Sequence, residues 1–430
     1  EKLEAHTLRF TLKEPYAVGE RLFDSIPILP RHRLEPAFRE GRLHEAWGLQ
    51  TPPSEVVGLG PFQVSKYVAG ERLELVRNPH YWKVDREGHR LPYLDRLIFL
   101  FVAHEDAQAL RFKAGEAHLT DRLSARNFAL LERYQAKHGY VLRDLGASLN
   151  YNFLVFNLND LEGLEGIDPA IARKQTWFRQ VAFRRAVSAA IDRQAIARLV
   201  YQGRATPLLT HETPSNPWHN PKLTVPVRSL DSARQLLRSA GFRWRDDGRL
   251  LDAEGTPVAL SILTSSSNKE RSGIATILQA DLDELGIAVQ IVALEFKALV
   301  ERVTRSFEYE ASLLAFGAGD VDPNSAIGML TSEGASHLRR LRRRTPPEPW
   351  QQEIDRLMEQ QLVALDPQRR RRLYDRVQQL VAENQPMIFL VSPNVLTGAA
   401  SRLGNFKPAI LSHFTLWNAD ELFWRTPAEH

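Results

Sequence analysis

Residues 58–82, GLGPFQVSKYVAGERLELVRNPHYW, limit the fold of this chain more than any other stretch of its sequence. Phe62 and Val64 alternate with polar neighbours, which is the two-residue period of a half-buried strand. A turn at Gly70 follows, and a second alternating segment then runs until Asn78-Pro79 breaks the pattern. The stretch therefore predicts a β-hairpin.

Length and composition set the broad class. A chain of 430 residues exceeds one hydrophobic core, so we expect two or three domains. Its hydrophobic fraction of 43% and charged fraction of 25% are those of an ordinary globular protein. A net charge of +4 is a weak argument for nucleic acid as a partner. The absence of cysteine excludes disulfides, a thiol nucleophile and zinc–thiolate sites.

The first half of the chain alternates predicted strands and helices. Residues 97–102, LIFLFV, form a continuous apolar run, which predicts a strand covered on both faces. Residues 152–157 predict another strand, and residues 180–201 predict two helices that meet at Asp192, the N-cap of the second. Prolines after residue 206 indicate irregular backbone.

The second half has a β-α-β-α-β order, which predicts a parallel sheet with right-handed crossovers. The predicted strands are residues 258–263, 287–294 and 309–316, and the helices between them are residues 269–285 and 296–304. Residues 349–364 predict an amphipathic helix, and Asp366-Pro367 predicts the start of another.

Two segments resemble the family-5 extracellular solute-binding proteins, the receptors of peptide-type ABC importers. The hairpin carries that family's G-x-G-P-[FY] turn and its G-E-R strand ending in R-N-P-x-Y-W, here Gly58, Gly60-Pro61-Phe62, Gly70-Glu71-Arg72 and Arg77-Asn78-Pro79-His80-Tyr81-Trp82. Residues 183–207, FRRAVSAAIDRQAIARLVYQGRATP, are similar to its F-R-x-A-[ILV]-x-x-A-[IL]-[DN]-R helix pair.

The resemblance implies an α/β fold with two lobes, of the type II-like periplasmic-binding-protein kind, with mixed sheets and a hinge between the lobes. By that resemblance, residues 1–50 end a small extra subdomain and residues 206–392 form the second lobe. Residues 51–205 together with 393–430 form a discontinuous first lobe. Since the opening strand, from His6, lies well inside such proteins, we expect an N-terminally truncated chain or a natural short form.

The strongest candidate for ligand binding is the loop GAGDVDPN, residues 317–324, directly after a predicted strand. Ligands of open α/β sheets bind outside the carboxyl ends of the strands. In the resembled family, an acidic residue of the matching loop pairs with the peptide's α-ammonium group. That makes Asp320 the first and Asp322 the second candidate, with Asn324 beside them. The alternative is a turn in which Asp322 and Asn324 cap the following helix.

Other candidates come from the strands and the aromatic residues. Asn150 and Tyr151 begin a strand that faces the cleft in the resembled family, where they would hydrogen-bond a peptide backbone. Candidate aromatic walls are Trp47, Trp218 and Phe316. For each of these residues the alternative is ordinary packing.

Competing interpretations rest on weaker patterns. The two aspartates lack the continuation of a calcium loop, and the carboxylate separation of a glycosidase is not readable from sequence. The basic run HLRRLRRR, residues 337–344, favours a solvated surface loop over a phosphate, nucleic-acid or ligand-carboxylate site. Neither a G-x-S-x-G elbow nor a Walker loop occurs, so a peptide or glycan hydrolase has little support.

The resemblance implies a receptor that captures di- or oligopeptides in an interlobe cleft and delivers them to an ABC permease in the membrane. It further implies no catalysis, no cofactor, no metal, no nucleic acid and a monomeric state. The location would be periplasmic or extracellular, with a lipoprotein anchor on an absent N-terminal segment. Receptors of the same class for sugars, nickel chelates, haem or opines are the alternative.

Overall fold

The computed structural model describes residues 1–24, 26–411 and 413–425. The chain divides into two compact units, which we name by size. The large unit comprises Glu1–Gly19 and Gly146–Asn394, and the small unit comprises Glu20–Leu145 and Val395–His430. This division differs from the one expected from the resemblance, because residues 146–205 group with residues 206–394. The assignment of lobes and their hinge closure stay predictions.

A mixed five-stranded sheet organises the large unit. Its strand order is Ala288–Leu294, Ala259–Ser265, Ala311–Gly317, Asn150–Phe156 and Ile388–Phe389. The first three strands are parallel to one another, which confirms the parallel sheet predicted from the β-α-β-α-β order. Asn150–Phe156 is antiparallel to both of its neighbours, and its position inside this sheet explains why residues 146–205 belong to the large unit.

Shorter strands complete the large unit. Ala205–Pro207 pairs antiparallel with the first residues of the long strand Val391–Ala400. Arg243–Trp244 and Leu250–Leu251 form a small hairpin. Lys2–Glu4 and Thr7–Leu8 form another hairpin, where the sequence predicted a single strand from His6.

Helices cover this sheet, and their starts follow the predicted caps. The Asp192 carboxylate accepts a hydrogen bond from the Ala195 N–H at 2.8 Å, and Asp366 accepts one from the Gln368 N–H at 3.0 Å. The helices and helical turns of the unit are Pro169–Phe178, Val181–Ala190, Arg193–Ala195, Ile196–Val200, Leu230–Ser239, Lys269–Asp283, Phe296–Glu301, Arg302–Ser306, Pro323–Ala326, Ile327–Leu330, Pro349–Leu362 and Pro367–Asn384.

The core of the large unit joins the strand Asn150–Phe156 to the helix Pro367–Asn384. Phe153, Tyr374 and Val377 are completely buried in one apolar cluster, with Phe389 beside them. Burial of such side chains stabilises each by about 1.5–3 kcal/mol relative to exposure. The cluster includes Tyr151 and Met329, which also line the cavity described below.

The small unit contains the predicted hairpin. Phe62–Val68 pairs antiparallel with Arg72–Arg77, and Gly70 has a φ of +72° in the turn between them. Arg96–Leu100 adds a third strand beside Arg72–Arg77. The hairpin prediction is therefore confirmed.

The remaining elements of the small unit are short. Its other strands are Leu119–Thr120, Tyr140–Ala147, Leu403–Gly404 and Phe423–Trp424, and the first two lie on either side of Val391–Ala400. Its helices and helical turns are Gly19–Phe23, Arg31–Arg39, Leu43–Glu45, Pro53–Glu55, Glu105–Lys113, Ala125–Glu132, Gln135–His138 and Ala419–Glu421. The carboxylate of Asp420 accepts hydrogen bonds from Tyr81 and Lys83, which connects the helical turn Ala419–Glu421 to the segment that follows the hairpin.

The prediction that residues 97–102 form a strand covered on both faces was wrong. Arg96–Leu100 is an edge strand, and Ile98 exposes 51% of its surface. Phe99, Leu100 and Phe101 are exposed as well. A continuous apolar run indicates a strand, but the layers that cover a strand are set by the rest of the fold.

Candidate functional site

The register of two neighbouring antiparallel strands brings Asn150, Tyr151 and Phe316, three of the predicted residues, to the same end of these strands. Gly317, the last residue of its strand, pairs with Asn150, the first residue of the neighbouring strand. Phe316 pairs with Tyr151 in the next register position. Because the strands are antiparallel, the carboxyl end of one meets the start of the other.

Asn150 packs against backbone at this edge. A β-carbon added to Gly317 would lie 2.1 Å from Asn150 Oδ1, so the Asn150 side chain occupies the space that such a β-carbon would need. The Asn150 N–H donates to Ser148 Oγ at 3.1 Å. The predicted role of Asn150 in binding a peptide backbone remains a proposal.

Tyr151 and Phe316 form an aromatic corner. Their ring centroids are 6.5 Å apart with an edge-to-face arrangement, and the Tyr151 hydroxyl donates to Met329 Sδ at 3.1 Å. Burial raises the pKa of Tyr151, which keeps this phenol neutral at physiological pH.

A cavity of about 160 Å³ opens beside this corner, wholly within the large unit. Its lining includes the apolar residues Leu149, Tyr151, Phe316 and Met329. It also includes the polar residues His211, Glu212, Thr213, Asn216, Ser325 and Ser336. Apolar walls with a few converging polar groups are typical of small-molecule sites.

Asp322, the second predicted anchor, is committed to a different partner. Arg370 Nη1 and Nη2 donate to its two carboxylate oxygens at 2.8 Å and 2.7 Å, and both side chains are buried. Asp322 Oδ1 also accepts from the Asn324 N–H at 2.9 Å, which caps the helical turn Pro323–Ala326. The alternative interpretation of Asp322 as a cap is thus what the structure contains.

Asn324 belongs to the same polar network. Its Nδ2 donates to the Tyr16 hydroxyl at 3.2 Å, and its Oδ1 accepts from Gln361 Nε2 at 2.8 Å. Asp320, the first predicted anchor, is half-buried, and its Oδ1 accepts from the Asp322 N–H at 3.2 Å. It follows the cavity-lining Ala318 by two residues.

The two candidate tryptophans lie in different units. Trp218 packs on the core of the large unit, with its ring edge-to-face to Tyr374 at 6.2 Å and the Arg370 guanidinium 5.0 Å from its ring centre. Trp47 lines a groove of the small unit with Arg33 and Ala46. Contact of either tryptophan with ligand stays a prediction.

Sequence reasoning missed Glu212, the one carboxyl group in the cavity wall among the described residues. Tyr374 donates a short hydrogen bond to Glu212 Oε1. Burial raises the pKa of Glu212 to about 7, against the opposing effects of Tyr374, Asn216 and Arg371. The group therefore changes charge near neutral pH.

His211 was missed as well. Its Nε2 is 2.8 Å from the Tyr374 hydroxyl, and burial lowers its pKa to about 3, so the imidazole is neutral at physiological pH. Within the described chain, His211 Nδ1 and Thr213 Oγ1 are buried and have no hydrogen-bond partner.

Two signals in the sequence pointed to these residues. Tyr374 follows Arg370 by four positions and precedes Val377 by three, so it shares the inner face of the helix. The run His211-Glu212-Thr213 lies among prolines that indicate irregular backbone, where polar groups need partners other than a strand or helix.

The basic run was predicted to be a solvated surface loop, and for its first arginines this was wrong. Arg339 and Arg340 are buried. Arg339 donates to Gln351 and to the Met329 carbonyl, while Arg340 pairs with Asp160 at 3.3 Å. Both guanidinium groups therefore bind acceptors from other segments of the protein, as buried charges require.

Comparison with known proteins agrees with this architecture. The family described as bacterial extracellular solute-binding proteins, family 5, middle region, matches residues 1–337. A probable ABC transporter-binding protein of Deinococcus radiodurans is 24% identical, over 92% of this chain and 68% of its own length. The oligopeptide-binding protein AppA of Bacillus subtilis is 24% identical, over 89% of this chain and 64% of its own length.

A solved structure shares the fold. The periplasmic binding protein DppA of Helicobacter pylori, in complex with the peptide STSA, matches with a TM-score of 0.70 and 20% identity. The match covers 99% of this chain and 74% of that one. The chain spans about two thirds of the curated relatives.

Within the described ranges, no helix has both the length and the apolar character needed to cross a bilayer. The family match extends over more than half of the sequence, and the sheet order and solved structures agree with it. This chain belongs to the bacterial extracellular solute-binding proteins of family 5.

Proposed function

We propose that this protein is the substrate-binding receptor of an ABC importer and that it captures di- or oligopeptides for a membrane permease. The observation that carries the proposal is the half-apolar, half-polar cavity at the carboxyl end of Ala311–Gly317, in a chain of this family. Relatives named for oligopeptide binding, and the fold shared with a peptide complex, support peptides as the solute.

The dimensions of the cavity suit part of a peptide. Pockets that enclose a whole drug-sized ligand measure about 300–1,000 Å³, whereas this cavity measures about 160 Å³. A single side chain or a chain terminus fits that space. Tyr151, Phe316 and Met329 offer apolar contact, and the polar residues of the lining offer hydrogen bonds.

Asp320 is the proposed anchor for the α-ammonium group of the peptide. It is half-buried in the loop that follows the cavity-lining strand, two residues beyond the cavity-lining Ala318. A carboxylate that meets a ligand ammonium offsets part of the cost of removing both charges from water.

A binding role without catalysis is part of the proposal. His211 is the imidazole in the cavity wall, and burial lowers its pKa to about 3. General bases work best with a pKa near the operating pH, so this imidazole is poorly matched to hydrolysis at neutral pH. We further propose an extracytoplasmic, monomeric receptor that is periplasmic or extracellular.

A thermal-shift screen tests the function. The protein is heated with separate pools of di- to pentapeptides, sugars and metal chelates, and hits are confirmed by calorimetry. A ligand at 100 times its Kd stabilises the folded state by about 2.7 kcal/mol, so a peptide pool should raise Tm. A rise in Tm with sugars or chelates alone would assign the receptor to that class of solute instead of peptides. An unchanged Tm with every pool would contradict the proposal.

A pair of variants places the bound peptide. Phe316→Ala removes an aromatic wall of the cavity and should weaken peptide binding. Phe296→Ala removes an exposed ring in the same unit and should leave affinity unchanged. Equal affinities for the two variants would exclude the cavity as the binding site.

A further inference from the structure

The Glu212 carboxyl group is buried without a cationic partner. It exposes only 6% of its surface, and no lysine or arginine in the described part of the chain lies within ion-pair distance of it. The one basic side chain that close is His211, whose Nε2 is 3.6 Å from Glu212 Oε1. That imidazole is neutral at physiological pH, so an ionised Glu212 has no ion-pair partner among the described residues, and the more distant charge of Arg371 offsets its burial only in part.

Tyr374 connects this carboxyl group to His211. Its hydroxyl group has one proton, and it is hydrogen-bonded to both Glu212 Oε1 and His211 Nε2. When Glu212 is ionised it only accepts, so Tyr374 donates to it and accepts from the N–H at His211 Nε2. The neutral imidazole then has its proton on Nε2, and Nδ1 is left as an acceptor.

Two of the residues that line the cavity have a buried polar atom without a hydrogen-bond partner among the described residues. His211 and Thr213 expose 4% and 2% of their surface, and His211 Nδ1 and Thr213 Oγ1 make no hydrogen bond within the described residues. Both residues line the cavity together with Glu212. Buried polar atoms without partners are rare in native proteins and call for a specific explanation.

We propose that His211, Glu212 and Thr213 form a subsite for a cationic nitrogen group of the ligand, an ammonium or guanidinium, with Tyr374 as the positioning residue. The inference rests on the proposed receptor function and specifies the chemistry that the receptor selects. A cationic donor supplies a counter-charge for the Glu212 carboxylate. Its N–H groups can also donate hydrogen bonds to His211 Nδ1 and Thr213 Oγ1.

The charge of the subsite depends on pH. Below the raised pKa of Glu212, near 7, the carboxyl group is neutral and the hydrogen-bond constraint on His211 is released. Above it, the wall is negative and favours a cation. The other titratable or polar groups that act on Glu212 come from its own loop, from the helix Pro367–Asn384, from the loop after Ala311–Gly317 and from the strand Asn150–Phe156: Asn216, His219, Arg371, Asp322 and Tyr151.

Matched probes test the charge preference. Calorimetry at pH 8 compares the tripeptides Ala-Lys-Ala and Ala-norleucine-Ala, and a thermal-shift titration compares n-butylammonium with n-butanol. In each pair the two probes have similar apolar surface and differ in charge. The protein should prefer the cationic member of each pair by about tenfold or more, as expected for a buried charge pair.

Variants assign that preference to the subsite. In Glu212→Gln the preference should fall to within about twofold. Glu165→Gln changes an exposed glutamate of the same unit and should retain the full preference. If Glu212→Gln does not fold, Tyr374→Phe serves instead. The Tyr374 hydrogen bond lowers the pKa of Glu212, so its loss should move the midpoint of the pH-dependent preference upward.

Further arms locate the source of the cation. N-acetylated Ala-Lys-Ala retains only the side-chain ammonium, so full preference with this probe assigns the subsite to a basic side chain. Preference for Ala-norleucine-Ala over its acetylated form, lost in Glu212→Gln, assigns it to the chain terminus.

The outcomes separate the subsite from the receptor function. Binding of n-butylammonium that depends on Glu212, without binding of any peptide, would retain the subsite and reject the peptide receptor. Peptide binding with no cationic preference in either pair, or with a preference that persists in Glu212→Gln, would overturn the subsite. An unchanged pH midpoint in Tyr374→Phe would exclude the positioning role of Tyr374.

Discussion

Arg370 and Asp322 form a bidentate ion pair inside the large unit. Arg370 Nη1 lies 2.8 Å from Asp322 Oδ2, and Arg370 Nη2 lies 2.7 Å from Asp322 Oδ1. The pair joins the last helix of the unit to the loop that follows the strand Ala311–Gly317. Gln361 and Asn324 complete the network, since Gln361 Oε1 accepts from Arg370 Nε at 2.9 Å. Asp322 is therefore a structural residue of the loop.

Removing one partner of this pair should destabilise the protein strongly. Arg370→Ala leaves the Asp322 carboxylate buried without a counter-charge, and the free energy of unfolding should fall by about 3–5 kcal/mol. Arg369→Ala, on the exposed side of the same helix, should change it by less than about 0.5 kcal/mol. Urea unfolding of both variants measures the difference, and equal values would refute a stabilising role for the pair.

The raised pKa of Glu212 makes stability depend on pH. A carboxyl group whose folded pKa is raised from 4.5 to about 7 contributes stability below pH 4.5 and loses it as the pH rises through 7. At 1.36 kcal/mol per pKa unit, the loss is on the order of 3 kcal/mol.

Comparison with Glu212→Gln isolates this effect. The difference in free energy of unfolding between the two proteins should change in favour of the variant by that amount between pH 4.5 and pH 8. His211 has its pKa lowered by burial and destabilises both proteins in acid, so its contribution largely cancels. A difference that stays constant across this pH range would contradict the raised pKa.

The close approach of Asn150 to Gly317 means that a β-carbon at position 317 should displace the Asn150 side chain. In Gly317→Ala the new β-carbon would lie 2.1 Å from Asn150 Oδ1, so this side chain must change its rotamer, at a cost of about 1 kcal/mol. Gly319→Ala is the matched control, because nothing lies within 4 Å of its added β-carbon. The double variant Gly317→Ala/Asn150→Gly should recover part of the loss in thermal unfolding, and no recovery would point to another cause.

Asp320 should determine the preference for a free amino terminus. With a peptide hit in hand, Asp320→Asn should reduce the ratio of affinities for the free and the N-acetylated peptide by about tenfold, because a charge-assisted hydrogen bond is lost. Asp246→Asn changes an exposed aspartate of the same unit and serves as the control. Calorimetry measures all four affinities, and an unchanged ratio in Asp320→Asn would exclude Asp320 as the anchor.

Local patterns in the sequence predicted the elements of the fold well. The period-2 alternation around Gly70 predicted the hairpin, Asp192 and Asp366 predicted helix starts, and the β-α-β-α-β order predicted parallel strands. Each of these depends on neighbours within a few residues, or on a connection too short to allow another topology. The motifs in the hairpin and the helix pair are sufficient to indicate the family.

Long-range packing decided the rest. Tyr374 lies 163 residues from His211 and 162 residues from Glu212 in sequence, and only the fold brings the three into one hydrogen-bonded chain. Asp322 and Arg370 are 48 residues apart, so the sequence alone did not show that the carboxylate was already paired.

The sequence by itself determined the strands, the helix starts and the family, because periodicity, capping and turn chemistry are local properties of the chain. The tertiary structure decided which polar groups are buried, which charges are paired and which remain for a ligand. Burial and pairing depend on the removal of water by distant segments, and this sets the pKa of Glu212 and the solvation of Arg339 and Ile98.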